Sequence, residues 1–504
     1  MSFKLSKSKL KSFAQCPKRL WLQVNDPFRA EKDEMAELIL LRGTAFGEAI
    51  RNCFADGVLI NEHSPDAAVR KTTELWAEFA AGRARVPVFE AAFAVNEVVV
   101  YADVLEPDAG NSWCLIEVKS SVLKEADTPR VDYVSDAATQ TWVLEKCGLS
   151  ISRVELAQPT KQFVLPQDRR VDGILSRVDV TQAVRKLLPQ IEVTVEDALE
   201  LLTQTSEPTM EIGAHCKEPN KCSFIRYCSG AYLKAGEQLS IPVWELSAEP
   251  TTKIVADLMK EGYRDLANVP EERLDKAMHR TIRRIALGAD PYCDPRLLNH
   301  LRSQPFPRYF LDYETNNPTL PLWRGTRPGE RVTFQFSLHK WVSEQGPIEH
   351  VEFIGEDFND PRPALAEKLA LVMQERAPVY AWNGNSTEGP ITLELAQYCS
   401  LHSETLEWVA CSCKDNDPVK YFRKWFYHPT MRGNWGLKAV ARAVLDNSPY
   451  ESLAVANGVD AMREYEQFLL LQEGKKREVL KQNLLDYCNT DTKVMIDIWK
   501  KLTN

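Results

Sequence analysis

Residues 101–107 read YADVLEP and residues 114–121 read CLIEVKSS, with a short turn between them. The first run closes a β-rich segment, Val98 to Tyr101, with Asp103. Strand side chains alternate faces, so Glu117 and Lys119 share one face of the second run while Ile116 and Val118 take the other. Two strands joined by a turn set Asp103 beside Glu117. Paired carboxylates offer hard oxygen ligands to a divalent cation. A lysine beside them can orient a water and stabilise developing phosphate charge. This is the arrangement of a metal-dependent phosphodiesterase. The same residues also describe an edge hairpin with solvated charges, so the rest of the chain has to decide between the two.

A chain of 504 residues predicts two or three domains. With 44% hydrophobic and 26% charged residues it is ordinary globular material. The net charge of −9 argues against an architectural nucleic-acid binder, though not against a nuclease, whose site is acidic. Nucleic acid would be held by local basic patches. The opening MSFKLSKSKLKSF has no apolar core of signal length, and no run of 18 apolar residues follows. A soluble cytoplasmic protein without membrane partners is expected. Its twelve cysteines are then reduced thiols or metal ligands rather than disulfides. There is no GxxxxGK phosphate loop, which argues against a motor.

Residues 5–24 predict a Ser-capped amphipathic helix followed by Cys16-Pro17 and a basic-aromatic turn. Residues 33–54 predict a long helix carrying Glu48, by default a solvated charge. DAATQTWVLEKCG (136–148) predicts another, with Gln140 near its apolar face. The most specific signal is Cys216-x5-Cys222-x5-Cys228. Zinc sites use closer cysteine pairs. These intervals suit an iron–sulfur cluster, with Cys16 as the fourth ligand. Zinc completed by His215, and no metal at all, stay open.

An N-terminal CPKRLWL (16–22), an Asp followed by Glu-x-Lys, a following Gln helix and a C-x5-C-x5-C tail together resemble the RecB-like PD-(D/E)xK nucleases that carry an iron–sulfur cluster. The CRISPR-adaptation Cas exonucleases and the AddB nuclease domain are among these. The resemblance covers residues 1–235. It implies a restriction-endonuclease-like fold, Mg²⁺ or Mn²⁺ held by Asp103 and Glu117, and catalysis assisted by Lys119 and Gln140. It also implies a four-iron four-sulfur cluster on Cys16, Cys216, Cys222 and Cys228. The family's RGxxxH helix becomes RGTAFGE (42–48), with Gly47 in the histidine's place. Either Glu48 substitutes as ligand or a single metal binds well.

Residues 236–306 predict a helical linker. IVADLMKEGYRDLANVP (254–270) is weakly like a helix-hairpin-helix, but a plain helical spacer is the favoured reading. HRTIRRIAL (279–287) adds a basic face.

At 309–315, YFLDYET places Phe310, Asp312 and Glu314 on one strand face and Leu311 and Tyr313 on the other. Carboxylates on a buried strand call for a partner or a metal. The arginine-rich loop RGTRPGER follows, with Arg324, Arg327 and Arg331 as nucleic-acid contacts, and then the strand VTFQFSLHKW. In the final helix Leu484, Cys488, Asp491, Met495, Ile498 and Leu502 form an apolar stripe that contains Asp491, with Tyr487 one turn earlier. Asp312, Glu314 and Asp491, with Tyr487 to position a water, suit a two-metal exonuclease site. These motifs resemble the DnaQ-like DEDD exonucleases of the tyrosine subtype, over residues 307–504. YFLDYET, FQFSLH, YHP, GLKAV and LLDYCNTDT resemble, more closely, an uncharacterised domain found fused to RecB-like nucleases. The resemblance implies an RNase H-like fold and a middle acid in AWNGNSTEG (381–389). Glu388 is the choice, with Asp415 and Asp417 as second candidates.

The expectation is an α/β protein of two nuclease domains joined by a helical linker. It would hydrolyse single-stranded DNA or DNA ends, in repair, recombination or defence. A DNA-end-binding module with degenerate sites and an RNA-processing 3′–5′ exonuclease are the alternatives.

Overall fold

The computed structural model describes residues 3–123, 129–247, 249, 251–445 and 447–504. The chain is mixed α/β and forms two compact units. The first is Met1–Cys228 with Pro318–Glu330, and the second is Ser229–Asn317 with Arg331–Asn504.

The first unit is built on a seven-stranded sheet running Val58–Leu59, Val88–Val95, Val98–Pro107, Trp113–Val118, Ile151–Pro159, Leu175–Asp179, with Leu5–Ser6 paired to the start of Val98–Pro107. Val88–Val95 and Val98–Pro107 form a tight hairpin whose Asn96 takes φ +53°, a left-handed angle that asparagine tolerates. Val98–Pro107 and Trp113–Val118 pair antiparallel with Val104 opposite Ile116, a register that sets Asp103 across from Glu117. Trp113–Val118 then runs parallel to Ile151–Pro159, and the helix Val131–Lys146 makes the crossover. That helix is buried from Tyr133 through Val134 and from Asp136 to Leu144, because it lies against the sheet on one side and against the helices Lys7–Gln15 and Thr181–Leu201 on the other. Burial all round forces its polar residues to find partners inside the unit.

The arginine-rich loop belongs to this first unit. Leu165 and Thr326 exchange backbone hydrogen bonds with their surroundings there, the Leu165 amide donating to the Thr326 carbonyl at 2.9 Å, and Trp323 is fully buried.

The second unit has a four-stranded sheet in the order Ile348–Ile354, Val332–Trp341, Arg308–Asn316, Val379–Tyr380, the last pair parallel. Leu311 and Tyr313 pack on one face with helices Arg362–Val372, Glu388–Leu395 and Ser403–Asp415. Phe310 and Tyr380 pack on the other with Met495, Ile498 and Trp499 of the terminal helix Lys475–Thr503. Residues 236–306 are built into that second core. Val255 and Leu258 of helix Lys253–Lys260, Ile282 of Ala277–Ala286 and Leu297 of Pro295–Ser303 are all buried in it. Their apolar faces need a partner, and the core of this unit supplies one.

Candidate active sites

In the first unit the strand register brings the predicted residues together. The Val118 amide donates to Asp103 Oδ2 at 2.8 Å, and Lys119 Nζ lies 2.7 Å from Glu117 Oε1. The Gln140 amide donates to Glu117 Oε2. Lys119 also reaches Asp136 Oδ2 at 2.6 Å. Asp136 lies one helical turn before Gln140, so both project from the same face of the crossover helix. Asp103, Lys119 and the exposed Glu48 line one cavity of about 770 Å³.

Three further residues were not legible as site residues. Lys7 is placed by the pairing of Leu5–Ser6 with Val98–Val99, and its Nζ sits 2.7 Å from Glu117 Oε1 and 4.0 Å from Asp103 Oδ1. In sequence it stands in a run of solvated lysines. Lys11, one turn later, lies 3.6 Å from Asp136. Glu90, on Val88–Val95, lines the same cavity with φ +56°, a left-handed conformation rare for glutamate and held here by its neighbours. Burial and the adjacent Glu117 push the Asp103 carboxyl up to about 7, against the pull of Lys7. Burial also opposes ionisation of Glu117, but Lys7 and Lys119 outweigh it and hold that carboxyl low.

Cys16, Cys216, Cys222 and Cys228 also meet, lining one cavity next to Lys18 and Arg19. None is in a disulfide. Burial raises the thiols of Cys222 and Cys228, the latter to about 11, and their cysteine neighbours add to it.

In the second unit one carboxylate oxygen each from Asp312, Glu314 and Asp491 lies within 4.8 Å of the others. The first two share a strand face, and the third comes from the terminal helix that covers that face. Glu388, at the start of its helix, is buried, its Oε2 has no hydrogen-bond partner among the described residues, and its charge is felt at Asp312 and Glu314. Asp417 faces a different task, capping helix Pro418–Trp425 by accepting from the Val419 amide at 3.0 Å.

Among the described residues none of the four acids has an ion-pair partner within 4.0 Å. Burial first and then Asp491 raise Glu314 to about 8 against the pull of Lys438, burial with Asp417 and then Asp491 raises Glu388 to about 8, and burial with Asp491, Glu314 and Glu388 lifts Asp312 well above its usual range. Burial raises Asp491 to about 6, moderated by Tyr450, whose hydroxyl donates to Asp491 Oδ1 at 2.6 Å. Tyr487 is buried beside Asp491, and Lys438 donates to its hydroxyl at 3.2 Å. Cys488 donates its thiol to Asp312 Oδ2 at 3.5 Å. Lys438, Tyr450 and Cys488 were missed from sequence. Tyr450 sits in an irregular stretch without periodicity, and Lys438 was read only as part of a motif.

The arginines expected to hold nucleic acid are otherwise engaged. Arg324 donates to the Gln167 carbonyl at 3.0 Å, Arg327 to the Lys161 carbonyl at 2.9 Å, and Arg331 to the Glu394 carboxylate at 3.1 Å. The first two pin the loop to the first unit, because backbone carbonyls there need donors.

Residues 309–436 match a domain of unknown function, DUF2779. No curated protein matches the chain. One similar solved structure is described as "Crystal structure of SSO0001". It is 15% identical, with a TM-score of 0.20, and the match covers 46% of this chain and 87% of that one. A likeness of that grade carries no argument about function. Among the described residues no helix is long and apolar enough to cross a membrane.

Two outcomes follow from the charges. The folded chain keeps protons on Glu314, Glu388 and Asp491 that the unfolded chain releases near pH 4, so its metal-free stability should fall as pH rises from about 4 towards 8. Asp312→Asn should raise the melting temperature of the metal-free chain at pH 8, and should shrink the thermal stabilisation given by Mn²⁺. Thermal melts with EDTA or Mn²⁺ at pH 5 and pH 8 measure both effects, and a less stable variant would refute the repulsion. In the first unit both Glu117 oxygens already have partners, and Lys7, which also lies 4.0 Å from Asp103, is the cation between the two acids with which a divalent ion competes. Lys7→Met, placed on Asp312→Asn to silence the second site, should bind Mn²⁺ about tenfold more tightly by calorimetry. Unchanged or weaker binding would remove Lys7 as a competing cation.

Proposed function

We propose that this chain is a metal-dependent nuclease with two separate sites, hydrolysing DNA phosphodiester bonds. The observation that carries the proposal is the meeting of Asp312, Glu314 and Asp491 within 4.8 Å, with the charge of Glu388 felt at Asp312 and no ion pair to any of them among the described residues. The second unit would then be an RNase H-like exonuclease of the DEDD type. The first would be a RecB-like PD-(D/E)xK domain, with Asp103, Lys119 and Glu48 on its cavity and the buried Glu117 behind them, 2.7 Å from Lys119.

The donor sets fit hard cations. Carboxylate oxygens in a buried, repulsive group suit Mg²⁺ or Mn²⁺. Bound there, such ions supply Lewis acidity at phosphate oxygens and lower the pKa of water. The protein's own part is positioning. Tyr450 and Tyr487 orient Asp491, and Lys438 holds the Tyr487 hydroxyl and adds positive charge. In the first unit Gln140 fixes one oxygen of Glu117, and Lys119 sits on the cavity wall where it can meet a phosphate.

Four thiols on one cavity, none in a disulfide, fit an iron–sulfur cluster as a donor set. Cys16 joins helices Lys7–Gln15 and Pro17–Asn25 to the 216–228 segment, so a cluster would act as a structural staple within the unit. An end-binding module is the second reading, favoured by Lys7 lying on Glu117 where a metal would bind.

End-labelled single-stranded DNA and RNA, with Mn²⁺ and anaerobically purified protein, test the proposal. Lys119→Ala and Asp312→Ala should each remove a different product pattern, by roughly 10²-fold or more in rate. Wild type that binds DNA and degrades neither polymer would leave the end-binding module. RNA degradation that survives Glu117→Ala but not Asp312→Ala would make it an RNA exonuclease. Anaerobic wild type should also carry about four irons per chain with broad visible absorbance, and Cys222→Ser should lose both. Iron-free wild type binding one zinc would assign the cysteines to zinc instead.

A further inference from the structure

Arg308 opens the strand that carries Asp312 and Glu314, yet it lies outside the acid cluster and has no role in it. Only 3% of its surface is exposed. Its guanidinium packs against three rings, with the Phe306 centroid at 3.9 Å and those of Trp341 and Trp499 at 5.2 Å. One Nη donates to the Gln304 carbonyl at 2.6 Å, and Nε has no hydrogen-bond partner among the described residues. Among the described residues no carboxylate lies within 4.0 Å of it. A buried cation without an anion is strongly unfavourable, so such groups are normally paired.

The cavity beside it, about 240 Å³, explains what the pairing group could be. Arg302 and Lys500 line it with Arg308, opposed by Glu344 alone among the acidic side chains. Trp341 lines it as well, and its buried indole N–H also lacks an acceptor. Arg302 also donates to the Thr503 carbonyl at 3.1 Å, and Glu344 and the terminal Asn504 offset part of the charge, so two unpartnered buried donors and the remaining positive charge leave room for an anionic acceptor. A single carboxylate supplies one charge, whereas a phosphate monoester carries about −1.5 to −2 at neutral pH and matches the planar fork of arginine. The Phe306 and Trp341 rings add aromatic surface for an attached base.

We propose that the cavity lined by Arg302, Arg308, Trp341 and Lys500 is a binding site for a phosphate monoester group. Arg308 lies four residues from Asp312 along the strand, and Lys500 nine residues from Asp491 along the helix. Both spacings put the cavity about 13 Å from the acids. Phe310 and Trp499 pack against each other in the core between them, ring centroids 5.6 Å apart. The site is thus separate from the acid cluster and needs no metal.

The test uses the full chain in EDTA at constant ionic strength and pH 7.5, titrated by calorimetry with inorganic phosphate, adenosine 5′-monophosphate and adenosine. Saturable binding of a phosphate-bearing probe is expected, weakened at least tenfold in Arg308→Met, which keeps the length and apolar contacts of the side chain. Lys500→Met, at the cavity edge, should weaken it severalfold and serves if Arg308→Met fails to fold. Equal binding of the two phosphates assigns the site to free phosphate. Tenfold tighter monophosphate binding with silent adenosine assigns it to nucleotides. No saturable binding, tight binding of adenosine itself, or binding unchanged in the substituted chains overturns the proposal. None of these outcomes depends on nuclease activity.

Discussion

Four carboxylates held together with no ion-pair partner among the described residues, and only Lys438 nearby to offset them, are the constraint on which the second unit depends. Two unit charges 4 Å apart repel by about 4 kcal/mol at an effective dielectric constant of 20. A loose structure would relax by moving one acid into water. Here Asp312 and Glu314 are fixed by pairing with Ser337 and Gln335, on a strand whose start also pairs with Val379–Tyr380, and Asp491 by a helix anchored along its length. Gln335 donates to the Leu484 carbonyl at 2.8 Å and Trp499 to the Leu301 carbonyl at 3.0 Å. Residues 236–306, through Leu301, Leu297 and Ile282, thus brace the helix that presents Asp491.

The first unit solves the same problem in another way. Asp103, Glu117 and Asp136 are interleaved with Lys7, Lys11 and Lys119, so most of their charge is neutralised within the protein. One site therefore strains towards an external cation, and the other has to exchange an internal one for it. Glu117 is held low in the first unit while the acids of the second are pushed up, because among the described residues only the second lacks lysines at ion-pair distance.

Several features were readable in advance because they are local. Asp491 on an apolar stripe and Gln140 near the apolar face of a buried helix follow from a 3.6-residue period, and both are buried in the structure. The sharing of faces by Glu117 with Lys119, and by Asp312 with Glu314, follows from the period of two. The separation of Glu388 from Asp417 did not follow from spacing. It needed the helix cap that occupies Asp417. The arginines of 324–331 look alike in sequence, yet two bond to backbone carbonyls and one to a glutamate.

What the sequence by itself determined is which residues can carry charge, ligate or pack, and which of them share a face over one or two turns. That information is local, since side-chain direction repeats with the backbone. The tertiary structure alone decided which charges meet. Lys7 reaches Glu117 across 110 positions, and Tyr450 reaches Asp491 across 41. Electrostatic interaction depends on distance through space, and no period along the chain encodes it.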